Sequence, residues 1–280
     1  MDDKYRLVDF LTNSEYEADE LDYVQNFHES TKQWPATSYN ASRRIVEYLT
    51  DRRAIIETRQ NYKEYFSSEA IKLEILTPRK PLSDVLNIRK STRNFSEELL
   101  SLTELSGCLS GLPVNRSKRV NSEPDVELSF RPYPSAGGLF PVEVYTILLN
   151  VQDLSPSICH YNFRNHQLEI ISTQVEKADV LNAMGNPDGY ILSSAAVICV
   201  FTAVIERSVV KYKQMGYRFC VLEAGIVSHT VELASNAAGI GTLHWGGYLD
   251  DMLADLLKID NVNEVILHSL ILGKENPNDK

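Results

Sequence analysis

The sequence predicts a fold of mixed α and β elements, and three stretches predict it. Val142 to Leu149 is an apolar, alternating run of strand length, and Ala195 to Val204 is nearly all apolar, as a strand covered on both faces must be. Tyr217 to Ala238 has helical spacing instead. Phe219, Leu222, Ile226 and Leu233 mark its expected buried face, and Gly239-Ile240-Gly241 closes it.

The other elements follow along the chain. The first 30 residues are acidic and read as a peripheral helical segment that ends at Phe27-His28-Glu29-Ser30-Thr31-Lys32-Gln33-Trp34-Pro35, where the proline disfavours helix at Trp34 and an extended segment is expected. Arg43 to Tyr65 carries Ile45, Leu49, Ile55, Ile56 and Tyr62 among charges, the pattern of one or two exposed helices with a single buried stripe. A short apolar stretch from Ile71 precedes Pro78 and Pro81, which place a boundary near residue 80. This separates an N-terminal region, 1–80, from a core domain, 81–280. Beyond it, Leu82 to Leu86 reads as a short helix, and Ser101 to Leu105 starts another with Ser101 as N-cap and Glu104 as its capping-box partner. Leu253 to Leu257 is expected as helix and Val265 to Leu272 as the last strand.

Composition bounds the function. With 280 residues, 43% hydrophobic and 24% charged, the chain has material for a sizeable core. A formal charge of -10 argues against a general binder of nucleic acid or of anionic membranes. The start, Met1-Asp2-Asp3-Lys4-Tyr5-Arg6, lacks a signal-peptide pattern, and a cytoplasmic location is expected. Cys108, Cys159, Cys199 and Cys220 form no CxxC pair and have no histidine at zinc-ligand spacing, so reduced, buried thiols and no metal are expected.

Four groups carry candidate chemistry. In Arg131-Pro132-Tyr133-Pro134-Ser135-Ala136-Gly137-Gly138-Leu139-Phe140-Pro141, prolines fix the loop's direction while small residues allow close approach of a flat ligand; an ordinary tight loop entering a strand has the same signature. Arg89-Lys90-Ser91-Thr92-Arg93 gathers cations and hydroxyls that suit a phosphate, or a solvated basic turn. Trp245-Gly246-Gly247 offers backbone amides to a ring edge, or a plain connection. Lys211-Tyr212 sets a phenol between cations, which favours the phenolate and suits a base for a carbon-bound proton; an exposed pair is the alternative. His229 and His244 read as structural.

Taken in order along the chain, Arg89 to Arg93, Pro134 to Tyr145, Lys211-Tyr212 with Gly216-Tyr217-Arg218 and Leu222-Glu223-Ala224-Gly225, and Trp245-Gly246-Gly247 resemble the SagB-type, or azoline oxidase, branch of the nitroreductase-like flavoenzymes. The likeness covers roughly residues 81 to 275, and Phe27 to Lys32 is similar to an N-terminal motif of that branch. It implies an α+β fold with a central, mostly antiparallel sheet flanked by helices, and a homodimer holding FMN at the subunit interface. By position, Arg89, Ser91 and Arg93 would hold the phosphate. Pro134, Ser135, Ala136, Gly137, Gly138 and Leu139 would line the isoalloxazine, with Trp245, Gly246 and Gly247 facing it. Lys211 and Tyr212 would be the catalytic pair.

The implied reaction is FMN-dependent dehydrogenation of thiazoline or oxazoline rings in a ribosomally made precursor peptide, beside a cyclodehydratase of the same pathway. Phe140 departs from the branch, where tyrosine is frequent, and Lys274 offers no clear counterpart to a C-terminal basic residue of simpler nitroreductases. Two other readings remain. One is an NAD(P)H-dependent reductase of nitro compounds or quinones; the other is a scaffold subunit whose acidic first 26 residues dock a partner.

Overall fold

The computed structural model describes residues 18–59, 62–66, 68–76, 79–120 and 123–277. Helices α1 (Ala18–Ser30), α2 (Pro35–Thr50) and α3 (Arg52–Arg59) come first, then a short strand β1 (Ala70–Lys72), α4 (Leu82–Ile88) and α5 (Leu102–Cys108). A separate hairpin, β2 (Arg116–Val120) and β3 (Glu123–Phe130), precedes the central meander β4 (Val142–Leu148), β5 (Ser157–Asn162) and β6 (Gln167–Ser172). After α6 (Lys177–Ala183) come β7 (Val197–Val204), α7 (Glu206–Tyr212), the long α8 (Met215–Ala237), β8 (Gly241–Trp245), α9 (Asp250–Leu257) and β9 (Glu264–Gly273).

The main sheet has the order β1-β6-β5-β4-β7-β9-β8, and every pairing in it is antiparallel. This is the expected α+β architecture. Helices cover both faces: Val142, Val144, Cys199 and Phe201 pack with Cys220, Ala224, Val227 and Val231 of α8, while Tyr145, Ile147, Ile198 and Val200 share the other core with Val180, Leu253 and Leu257. Double coverage explains why β4 is buried along its whole length. The sheet also takes in residues from before position 80, since Ala70 pairs with Glu169 and Lys72 with Gln167.

Ser101 caps α5 as its sequence predicts: the Glu104 amide donates to the Ser101 hydroxyl at 3.2 Å, and the Ser101 amide donates to the Glu104 carboxylate at 2.8 Å. All four cysteines are free and buried. No helix among the described residues is long and apolar enough to cross a membrane.

Three local expectations are corrected. The extended segment after Thr31 is only three residues long, because Pro35 opens α2 at the position where a missing N–H costs nothing. On α2, Leu49, expected in the buried stripe, is exposed, and Tyr48 is buried beside it instead, while Ile45, Ile55, Ile56 and Tyr62 are half-buried. On α8 the buried face is Cys220, Glu223, Ala224, Val227, Ser228 and Val231, whereas Leu222 is 60% exposed and Ile226 also faces outward. Small residues let this helix lie close to the sheet, and Leu222 and Ile226 are left on the far side. Of the acidic first 26 residues, 1–17 lie outside the described residues.

Candidate functional site

The proline- and glycine-rich loop enters β4 by a single turn of 3-10 helix, Ala136–Gly138. Ser135 staples it twice: its carbonyl accepts from Gly138 N–H at 3.0 Å, and its hydroxyl accepts from Phe140 N–H at 2.9 Å. Gly137 and Gly138 have φ of 64° and 66°, which glycine adopts without strain. Phe140 also has positive φ, at 47°, a strained value for an aromatic residue.

Tyr212 ends α7, and Lys213, with φ of 50°, turns the chain into α8. The predicted catalytic pair thus lies just before the long helix, and it meets the loop directly. A Cβ built on Gly137 would overlap the Tyr212 hydroxyl and lie 2.6 Å from Lys211 Nζ. Lys211 is only 6% exposed, with Nζ 5.0 Å from the Tyr48 ring centre and 5.1 Å from that of Tyr212. Tyr212 packs edge-on against Phe219 at 4.9 Å.

Beneath the loop lies a polar scaffold that sequence reasoning missed. Arg131, buried, donates to the Tyr133 hydroxyl at 2.7 Å and to the Val142 carbonyl at 3.3 Å, and its guanidinium lies 3.5 Å from the Phe163 ring centre. Arg207 of α7 pairs with buried Glu143 and reaches the Phe140 carbonyl at 3.5 Å. His160 bridges Glu143 at 2.9 Å and Glu169 at 3.2 Å. Burial would discharge Glu143, but Arg207 and His160 outweigh it and hold its carboxyl down to about 2. These residues are scattered through the sequence, so no local motif announced them.

Glu223, on the inward face of α8, is 2% exposed, and neither carboxylate oxygen closes a hydrogen bond with a described residue. Burial pushes it up to about 7, against the pull of the Ser135 hydroxyl and the Arg131 charge. The folded protein therefore holds this proton at pH values where the unfolded chain, near 4.5, has lost it. Stability from this group is fully present below pH 4.5 and is lost as pH rises through 7. Glu223→Gln is expected to match the wild type at pH 4 and to melt higher at pH 8, with a stability gain of at most about 3 kcal/mol. Thermal melts at the two pH values check this; equal melting temperatures at pH 8 would contradict it.

The second group of candidates sits elsewhere. Ser91 bridges Thr242 of β8, and Thr92 N–H donates to the Thr242 carbonyl at 2.8 Å, which lays Arg89 to Arg93 along the sheet edge. Arg89 faces Glu232 at 3.5 Å, Lys90 pairs with Glu275 at 3.0 Å, and Arg93 is exposed. Glu232 also meets His229 at 2.7 Å and His244 at 3.3 Å, so two histidines expected to be structural converge on one buried carboxylate. Helical spacing joins His229 to Glu232, but only the fold brings in His244. Trp245 turns its indole inward and donates to the Met184 carbonyl at 2.9 Å, leaving Gly246 and Gly247 as the exposed pair. Lys274 is engaged by Glu98 at 2.5 Å and Glu104 at 3.3 Å.

The glycine loop and the Arg89–Arg93 cluster occupy opposite ends of the sheet, while Trp245 is level with Tyr145, so Gly246 and Gly247 continue towards the loop's end. Register sets Val142, where the loop ends, level with Ala203, whereas Leu148 is level with Val197, Leu272 and Thr242, beside Ser91. Six residues of strand separate the levels by about 20 Å. Along α8, Glu232 lies about 25 Å from the end that follows Tyr212. Between them run the exposed Leu222 and Ile226, with exposed Leu82, Leu86 and Ile88 on α4.

Residues 86–274 match the model of the nitroreductase family. A nitroreductase-named protein of Methanocaldococcus jannaschii is 27% identical over 64% of this chain and 84% of its own. The microcin B17-processing protein McbC of Escherichia coli is 28% identical over 64% of this chain and 68% of its own. Among solved structures, a nitroreductase-named protein of Anabaena variabilis matches 89% of this chain with a TM-score of 0.65 and 24% identity; this chain spans only 45% of its length. The E. coli microcin synthetase McbBCD complex with truncated pro-MccB17 bound contains a chain that matches 93% of this one and 95% of its own length, with a TM-score of 0.57 and 21% identity.

Proposed function

This chain belongs to the nitroreductase family, and from that premise we propose that it is an FMN-dependent dehydrogenase that oxidises thiazoline or oxazoline rings in a precursor peptide to thiazoles or oxazoles. The observation that carries the proposal is the convergence of Lys211 and Tyr212 on Gly137 in the loop expected to line the flavin. The 28% identity to McbC, named as a microcin B17-processing protein, supports a peptide as substrate; a cyclodehydratase as working partner is what the resemblance to the azoline oxidase branch implies.

The residues present fit FMN when two copies of the chain contribute. One flavin cannot span the two groups within a chain, because ring and phosphate are closer together than the two ends of the sheet. If α8 of one copy packs antiparallel on α8 of another along Leu222 and Ile226, the Pro134–Leu139 end of each meets the Arg89–Arg93 end of its mate. Burying those exposed apolar side chains supplies the driving force. Arg89, Ser91 and Arg93 would then hold the phosphate, with Arg89 releasing Glu232 to do so, and the backbone of Ser135 to Gly138 would face the ring system. A variant carrying both Arg89→Ala and Arg93→Ala is expected to lose most of its flavin on gel filtration. Full retention would mean that the phosphate is held elsewhere.

When bound, FMN supplies the hydride acceptor. The chain's own work is to hold the ring and move one proton. The Tyr212 phenol oxygen takes the proton from the ring carbon, Lys211 Nζ beside it favours the phenolate, and the Tyr48 ring keeps the ammonium in place. Incubating the FMN-loaded protein with a synthetic thiazoline peptide should remove two hydrogen atoms per ring, read by mass spectrometry. An unchanged peptide, together with NAD(P)H-dependent reduction of a quinone, would favour the reductase reading that the M. jannaschii relative's name suggests.

A further inference from the structure

The N-terminal motif Phe27 to Lys32 has no part in the chemistry so far, yet it is fastened beside the catalytic pair. Phe27 packs edge-on against Tyr217 at 5.5 Å, and Arg218 donates to the His28 carbonyl at 2.7 Å. The buried Thr31 hydroxyl donates to the Phe27 carbonyl at 2.7 Å, closing the end of α1. From α2, Arg44 donates to the Val210 carbonyl at 3.0 Å, and Tyr48 sits against Lys211. These contacts come from both helices and hold the segment between them in one position.

The segment and the pair enclose a cavity of about 300 Å³. Glu29 to Trp34, Asn40 and Ile45 line one side, and Lys211 to Met215 the other. Its walls combine a large aromatic, an aliphatic residue and several charged or amide side chains, the mixture of a site that takes a flat group flanked by hydrogen-bonding backbone. The volume is at the lower end for small-molecule sites, enough for a five-membered ring with its neighbouring peptide units and too small for a helix. Trp34, 52% exposed, presents the broad apolar surface, with Lys32 Nζ 5.5 Å from its ring centre.

We propose that this cavity seats the ring-bearing stretch of the peptide substrate in extended form, and that Trp34 is the specificity-determining wall against which the heterocycle stacks. The assignment rests on the reading of Lys211 and Tyr212 as the catalytic pair. The ring becomes fully planar and aromatic as it is oxidised, so a tryptophan face holds product-like geometry well. Glu29, Gln33 and Asn40 supply partners for the amides on either side of the ring.

Binding can be measured apart from turnover, because a thiazole-containing peptide is already oxidised. In calorimetric titrations of the full chain purified with FMN, Trp34→Ala should weaken binding of that peptide at least tenfold, Trp34→Phe should stay within threefold of the wild type, and Ile45→Trp, which fills the cavity, should weaken it as Trp34→Ala does. Flavin content reports that each variant is folded. If Trp34→Ala and Ile45→Trp both bind within twofold of the wild type, the cavity is not the peptide site. That result beside an inactive Tyr212→Phe would leave the catalytic pair standing and remove the cavity. Weakened binding beside a fully active Tyr212→Phe would do the opposite.

Discussion

Replacing Tyr212 with phenylalanine is expected to slow ring dehydrogenation by roughly 10²- to 10⁴-fold, the range over which a positioned general base acts. The change deletes one hydroxyl. The aromatic ring remains to pack edge-on against Phe219 at 4.9 Å, and Lys211 keeps its place over the Tyr48 ring. Fold, flavin content and melting temperature should therefore match the wild type while turnover falls. The loss should appear in kcat more than in KM, because the hydroxyl acts on the proton in flight and adds little to ground-state binding. Turnover within a few-fold of the wild type would assign the base elsewhere.

Gly137→Ala is expected to have the second large effect, and it acts through space. Left-handed φ at a residue with a Cβ costs on the order of 1 kcal/mol. The larger cost is steric, since the new methyl would overlap the Tyr212 hydroxyl and crowd Lys211 Nζ. Lys211 is buried and confined by Tyr48 and Tyr212, so the strain passes to the pair. We expect a fall in melting temperature of several degrees and loss of turnover comparable to that of Tyr212→Phe. An active Gly137→Ala protein would show that loop and pair need not touch.

Much of this fold is legible in the chain because its signals are local. The Ser101–Glu104 capping box, the doubly buried strands β4 and β7, and the length of α8 each follow from neighbouring residues, and each is present in the structure. Which face of α8 is buried is not local information. The helix carries apolar residues on more than one face, and the sheet takes mostly the small side chains because they allow the closer approach. The same limit applies to the site. Lys211-Tyr212 and the Pro134–Leu139 loop stand out as motifs, but their meeting at Gly137 depends on how α7 returns after β7. The Arg131, Arg207, Glu143 and His160 scaffold is assembled from four separate elements or loops, and its partners are visible only in three dimensions. Register alone reveals that the basic cluster and the glycine loop sit at opposite ends of one sheet.

The anaerobic visible spectrum of the purified protein, recorded while an azoline-containing peptide is added, bears most directly on the proposed reaction. Flavin bands that bleach with the peptide and stay unchanged with NAD(P)H are the predicted result, because the ring is then the electron donor. Bleaching by NAD(P)H with no response to the peptide would contradict it and make the protein a reductase.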